Sequence, residues 1–352
     1  MATTTPTAPV ASADERLARV GVIAQILKRP DTGAFIGAVA VFVLFSITAS
    51  RVNWAGDLSV WSSWLNVAAY DGIVAVPVAL LMIGGEFDLS AGVMIGSSGL
   101  LLGILTTRAD WNIWPAILGV LLFGLVIGLL NGVTVVKTRL PSFIVTLGTF
   151  FMLRGLNAGA TVSITGGVSV NDIDKAPGFD FAHTLFASSV WSKYALTVSV
   201  VWWLAFPAVA AWVLSRTRFG NWIFSSGGDP VAARNVGVPV ARTKILLFMA
   251  TSTVAAIWGI MTAVQLRGIQ SNEGVGREFE FIIAAVVGGC LLTGGFGSVV
   301  GASIGALIMG MAITGIPFSG WNSDWRFLFL GIILLLAVLL NTIIRRRAER
   351  AR

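Results

Sequence analysis

Long apolar runs separated by short polar stretches fill most of the chain. A helix that crosses a bilayer needs about 20 mostly apolar residues. By that ruler the spans fall at 33–50, 61–83, 89–107, 112–136, 142–160, 194–214, 244–266, 280–294, 298–315 and 326–344. Gly-rich Leu292–Ser298 reads either as a turn between the eighth and ninth spans or as a re-entrant bend. Charged residues make up 12% of the chain, against about a quarter in a soluble domain. The expected fold is therefore an all-α integral membrane protein, a Gly-rich polytopic bundle of about ten transmembrane helices.

Lys and Arg set the orientation, because they concentrate on the cytoplasmic side of a membrane. With the N-terminus inside, sixteen of the 24 fall on inner segments, eleven of them ahead of the C-terminal tail: Arg16, Arg19, Lys28, Arg29, Lys137, Arg139, Arg216, Arg218, Arg234, Arg242 and Lys244. The tail adds Arg345, Arg346, Arg347, Arg350 and Arg352. Both termini are thus expected in the cytoplasm, and the net charge of +7 reflects topology rather than a nucleic-acid partner. The expected organisation is a cytoplasmic tail and amphipathic helix (1–32), a transmembrane domain (33–344) and a basic tail (345–352). Within the domain, 215–243 is a cytoplasmic loop and 161–193 an external one. Asp14–Arg29 carries Leu17, Val20, Ala24 and Leu27 at helical spacing, as a helix lying on the inner surface would. Met1–Ala13 lacks an early basic region and does not read as a signal peptide. Trp54, Trp61, Trp64, Trp111, Trp114, Trp191, Trp321 and Trp325 cluster at outer span ends, as an interfacial belt should.

The 40 glycines are patterned. Gly297, Gly301 and Gly305 repeat every four residues, as do Gly124, Gly128 and Gly132. Such stripes let helix backbones approach closely, which matters in lipid because apolar side chains gain little by leaving it. The Gly294–Gly301 run has the wrong spacing for a dinucleotide loop, and no G-x-x-x-x-G-K-[ST] occurs. One Cys (Cys290) and one His (His183) make a metal site improbable, and no nucleophile–base constellation is present. The reading is of a chain without its own cofactor, metal or catalytic residues.

Polar groups inside the spans point to function or to helix joining. Asp71 sits near the middle of the second span, where a charge costs about 2.5–3.5 kcal/mol on insertion scales. Arg154 faces the same penalty in the fifth span, and the two either pair or line one cavity. Asp88 interrupts the chain between the second and third spans, capping the helix from Leu89 or standing beside a pathway; Ser90 and Thr146 belong with it as pathway or gating candidates. Asn66, Asn131, Asn157 and Gln265 either bond a hydroxyl-rich solute or join helices.

Ser225–Lys244 is a polar interruption between two long spans. Asp229 is a good N-cap, Pro230 suits the first helical position, and Gly237 can stop the helix in a left-handed conformation. The result is a helix of about two turns, roughly 10 Å long. It reads equally as a well-made turn or as a rigid handle for a partner.

Taken together, Gly85–Gly92 (GEFDLSAG), Pro141–Thr149 with Leu153–Leu156 (LRGL), Gly227–Arg234 (GGDPVAAR) with Gly237, and Thr293–Ser298 (TGGFGS) with Gly288 and Gly289 resemble the permease subunits of bacterial ABC importers for monosaccharides. The resemblance runs from about residue 33 to 345. It implies a permease homodimer around a central path in the bacterial inner membrane. An ATPase subunit would dock on the cytoplasmic face and an extracytoplasmic sugar-binding protein above. Gly228, Asp229, Ala232, Ala233, Arg234 and Gly237 would form the coupling helix that meets the ATPase. The implied transport is alternating access for a monosaccharide or related polyol. Where many relatives have Gly-Gly-Ile-Asp-Leu-Ser, this chain has Glu86-Phe87 before Asp88, which weakens an assignment to ribose. The rival reading is an ion-coupled secondary transporter for a small polar solute, with Asp71, Asp88 and Arg154 as a relay and half-helices at the Gly-rich breaks.

Overall fold

The computed structural model describes residues 30–350. The surface helix expected at Asp14–Arg29 and the Met1–Ala13 segment lie outside the described residues. Helices α1 (Pro30–Thr48), α2 (Leu58–Ile83), α3 (Ala91–Thr107), α4 (Ile113–Thr138) and α5 (Ser142–Thr165) follow one another through short turns. Next come β1 (Ser169–Asn171), α6 (Phe179–Phe186), and a short ribbon of β2 (Ser189–Trp191) with β3 (Leu196–Thr197). After α7 (Ser199–Arg216), the helices α8 (Arg218–Gly228) and α9 (Pro230–Asn235) lead into α10 (Val240–Leu266). β4 (Gly268–Gln270), α11 (Arg277–Val287), α12 (Val299–Phe318) and α13 (Trp325–Arg350) complete the described chain. β1 pairs antiparallel with β4, Val170 opposite Ile269, so α8–α9 and the strands occupy opposite ends of the bundle.

The protein is an all-α polytopic membrane protein: seven of these helices are long and apolar enough to cross a bilayer, and α3 and Trp325–Leu339 are shorter apolar helices. The expected eighth span is different. Its helix, α11, has 11 residues, or roughly 16 Å at 1.5 Å per residue. That is about half the thickness of a bilayer's hydrocarbon core, and the irregular segment Ser271–Gly276 precedes it inside the bundle while turns from Gly288 follow it.

Backbone proximity explains the packing. α10 packs on α4, α3 and α2, and α2 packs on α12 and α7. On α4, Gly124, Gly128 and Gly132 face α10; a Cβ at Gly128 would stand 2.5 Å from the Met249 Cα. On α12, Gly301 and Gly305 lie against the carbonyls of Gly288 and Ala284; Gly297, just before that helix, lies against Cys290. Close contact of this kind supplies attraction that apolar side chains cannot supply within lipid. Two of the expected belt tryptophans are instead core residues. Trp54 and Trp64 are buried with Phe42, Phe45 and Trp61, whereas Trp111, Trp191, Trp321 and Trp325 are exposed.

Candidate functional site

The polar segment after α8 folds as its caps dictate. The Asp229 carboxylate accepts from the N–H groups of Val231 (2.9 Å) and Ala232 (3.0 Å), and Pro230 opens the helix. Gly237 has φ +84°, and its N–H donates to the Arg234 carbonyl. The helix ends at Asn235, two residues before that glycine. Only Ala233 is buried; Val231 is 65% and Val236 80% exposed, and Arg234 is exposed. Apolar side chains held outward on a doubly capped turn form a small, rigid convex surface.

Just behind α9, three glycine turns meet backbone to backbone. The Gly295 N–H donates to the Ile83 carbonyl at 2.8 Å. A Cβ at Gly227 would lie 1.8 Å from that carbonyl and 2.7 Å from the Gly295 nitrogen. Gly85, at φ +84°, faces the Gly227 Cα, and Gly294 faces the Gly85 Cα. Lys244 pairs with Glu86 beside this junction. The ends of α2 and α8 and the turn between α11 and α12 are thus tied at one point, backbone against backbone.

Two helices start inside the bundle. From Gly85 the chain runs inward: the Phe87 N–H donates to the Ser142 hydroxyl and the Leu89 N–H to the Thr146 hydroxyl, both at 3.0 Å. The Asp88 carboxylate accepts from the Ser90 N–H (2.8 Å) and hydroxyl (2.5 Å), and Asn131 donates to the Ser90 oxygen. Helix α3 begins one residue later, at Ala91 rather than Leu89. Its start meets the start of α11: a Cβ at Gly92 would collide with the Glu278 side chain and the Gly274 carbonyl. Arg277 donates to Asp71 and to Glu280, each at 3.0 Å. One guanidinium therefore serves two buried carboxylates.

Asp71 pairs with Arg277, not with Arg154. Arg154 stands midway along α5, exposed, off the buried stripe Ser142, Thr146, Phe150, Leu153, Asn157 and Thr161. Asp71, Asp88, Ser90 and Thr146 are all buried and hydrogen-bonded within the chain. Asn66 binds the Ala195 carbonyl and the Thr197 N–H, Asn131 joins α4 to Ser90 and Thr149, and Gln265 bonds Tyr70. These amides join elements of the bundle. The Asp71–Asp88–Arg154 relay of the rival reading is not assembled. Sequence reasoning missed Arg277, Glu278 and Glu280, which hydropathy assigns to an external loop and a span edge.

A family model described as the permease component of branched-chain amino acid transport systems matches residues 60–338. The chain belongs to that family. This permease is 31% identical over 307 residues to the ribose import permease protein RbsC of Escherichia coli K12, covering 86% of the chain and 92% of the relative. The galactose/methyl galactoside import permease MglC of the same organism is 31% identical over 284 residues (77% and 82% of the two chains). Its xylose transport system permease XylH is 31% identical over 362 residues (89% and 92%). These relatives are of the kind the motifs resemble, and the permease is a transporter component rather than an enzyme. No solved structure matches it.

Proposed function

We propose that this permease carries a monosaccharide or related polyol across the bacterial inner membrane as the transmembrane subunit of an ABC importer. Its termini and α9 face the cytoplasm, and β1–β4 with α6 face outward. Two copies flank a central path. A separate ATPase subunit grips α9, and an extracytoplasmic binding protein delivers the solute. The observation that carries the reading is the capped α9, which offers Val231, Arg234 and Val236 to a partner. Relatives named for ribose, galactose and xylose, each matched over most of its length, support the substrate class.

The glycine junction suits alternating access. Displacement of α9 passes through Gly227 to Ile83 and Gly295, and so to both helices that start inside the bilayer. Such a shift requires contacts that differ between the nucleotide states of the ATPase. The test is copurification without crosslinker, followed by Arg234→Glu and Gly237→Pro. Both variants should insert normally, yet hydrolysis should no longer be stimulated by liganded binding protein and uptake should be lost. Normal uptake by both would remove the docking role of α9.

A further inference from the structure

Arg154 sits at mid-depth of α5, exposed, with no hydrogen bond or ion pair among the described residues, although its charge acts on Glu278. Beside it, Gly155 and Gly159 are open: a Cβ at either would meet nothing within 4 Å. The segment after β4 reaches the same depth. It descends along α3, with Ile269 against Gly99, the Glu273 carbonyl against Gly96, and Gly274 and Glu278 against Gly92. Gly96 also faces the Asn157 amide, one turn along α5 from Arg154. Ser271–Gly276 is thus irregular backbone within the membrane. Asn272 and Gly276 are exposed, Glu273 and Arg277 are half-buried, and Phe279 is 58% exposed.

Non-helical backbone at this depth persists only where protein buries it or water reaches it. An unpaired arginine facing lipid is strongly disfavoured as well. Arg154, Asn272, Gly276 and Phe279 are not covered within the chain, which leaves water or a second copy beside them, and a guanidinium and an amide on one surface suit water.

We propose that Arg154, Asn272, Glu273, Gly276 and Phe279 line a water-filled solute path at mid-membrane, and that the path accepts a neutral polyhydroxylated solute of monosaccharide size. The guanidinium and the Asn272 amide donate to hydroxyl oxygens, and the Glu273 carboxylate accepts from hydroxyl hydrogens. The Phe279 ring offers a flat apolar face to the C–H surface of a sugar ring. Both charge signs are present, so the path carries no single field that would select an ion. Asp71, Asp88, Ser90 and Thr146 stand behind this lining and hold it. The solute class rests on the importer reading; exposure of these residues to water does not.

Cys290 is the chain's only cysteine and is 1% exposed, so a full-length Cys290→Ser background is clean. In bilayer vesicles, Asn272→Cys and Gly276→Cys should each react with a membrane-impermeant methanethiosulfonate. Disulfides between two copies without labelling would place these residues in a dry dimer contact, and no reaction at all would place them in lipid or core; either result overturns the proposal. In the assembled transporter, with D-ribose, D-xylose and D-galactose as probes, Glu273→Gln and Arg154→Gln should each lower uptake about tenfold or more, the loss of one charge-assisted hydrogen bond, while stimulated hydrolysis stays within about twofold. Unchanged uptake by both variants would also overturn it. Labelling of both cysteines without ATP-dependent uptake by the wild type would support the path and count against the importer reading alone.

Discussion

Removing Arg277 should cost far more than removing Asp71, although the two form one ion pair. Arg277 donates at 3.0 Å to both Asp71 and Glu280, and both carboxylates are buried. In Asp71→Asn the guanidinium keeps Glu280, so the loss is one charge-assisted hydrogen bond, about 1.5–3 kcal/mol. In Arg277→Gln two carboxylates are stranded without their shared cation, and breaking a buried pair from this side costs about 3–5 kcal/mol. The expected gap is about 2 kcal/mol, some 30-fold in the unfolding equilibrium. Adding Asp71→Asn to Arg277→Gln removes one stranded charge and should recover part of the loss. Equilibrium unfolding of the three variants in bicelles, referenced to wild type, measures all of these terms. An Asp71→Asn variant as unstable as Arg277→Gln would refute the shared-cation account, as would a double variant no better than Arg277→Gln.

Gly227→Ala should destabilise the junction by about 1–3 kcal/mol, the usual cost of overpacking, since its Cβ would lie 1.8 Å from the Ile83 carbonyl. Gly228→Ala, whose nearest neighbour would be 3.9 Å away, should be tolerated, and thermal melts of the two proteins in detergent compare them directly. Asp57 caps α2 through the Ser59 N–H and hydroxyl, and these bonds hold its carboxyl below the usual carboxylate range. A lowered carboxyl pKa stabilises the folded state at pH above its unfolded value and ceases to do so as pH falls through the folded one. Hydrogen exchange at the Ser59 amide should therefore accelerate only in acid below the ordinary carboxylate range, and an Asp57→Asn variant should lack that acid step.

Local features were the most legible in the sequence. The α9 caps depend on Asp229, Pro230 and Gly237, all within a few residues of the helix, and each does as its chemistry dictates. Long spans such as α2 and α4 follow from hydropathy because lipid imposes a length on them. The partner of Asp71 was not legible, since Arg277 lies 206 residues away. Hydropathy also places Ser271–Phe279 in an outer loop: its Asn272, Glu273 and Arg277 carry the signature of solvent, as residues lining the proposed path would. Trp54 and Trp64 misled for a related reason, because an aromatic ring near a span end suits an interface or a core equally well.

On the importer reading, this permease is moved by nucleotide chemistry held in a partner chain. Proteoliposomes carrying the permease alone should accumulate none of D-ribose, D-xylose or D-galactose against a gradient, with or without a proton gradient. Adding the cognate ATPase, ATP and the liganded binding protein should produce concentrative uptake of at least one. Uphill uptake by the permease alone would contradict the account.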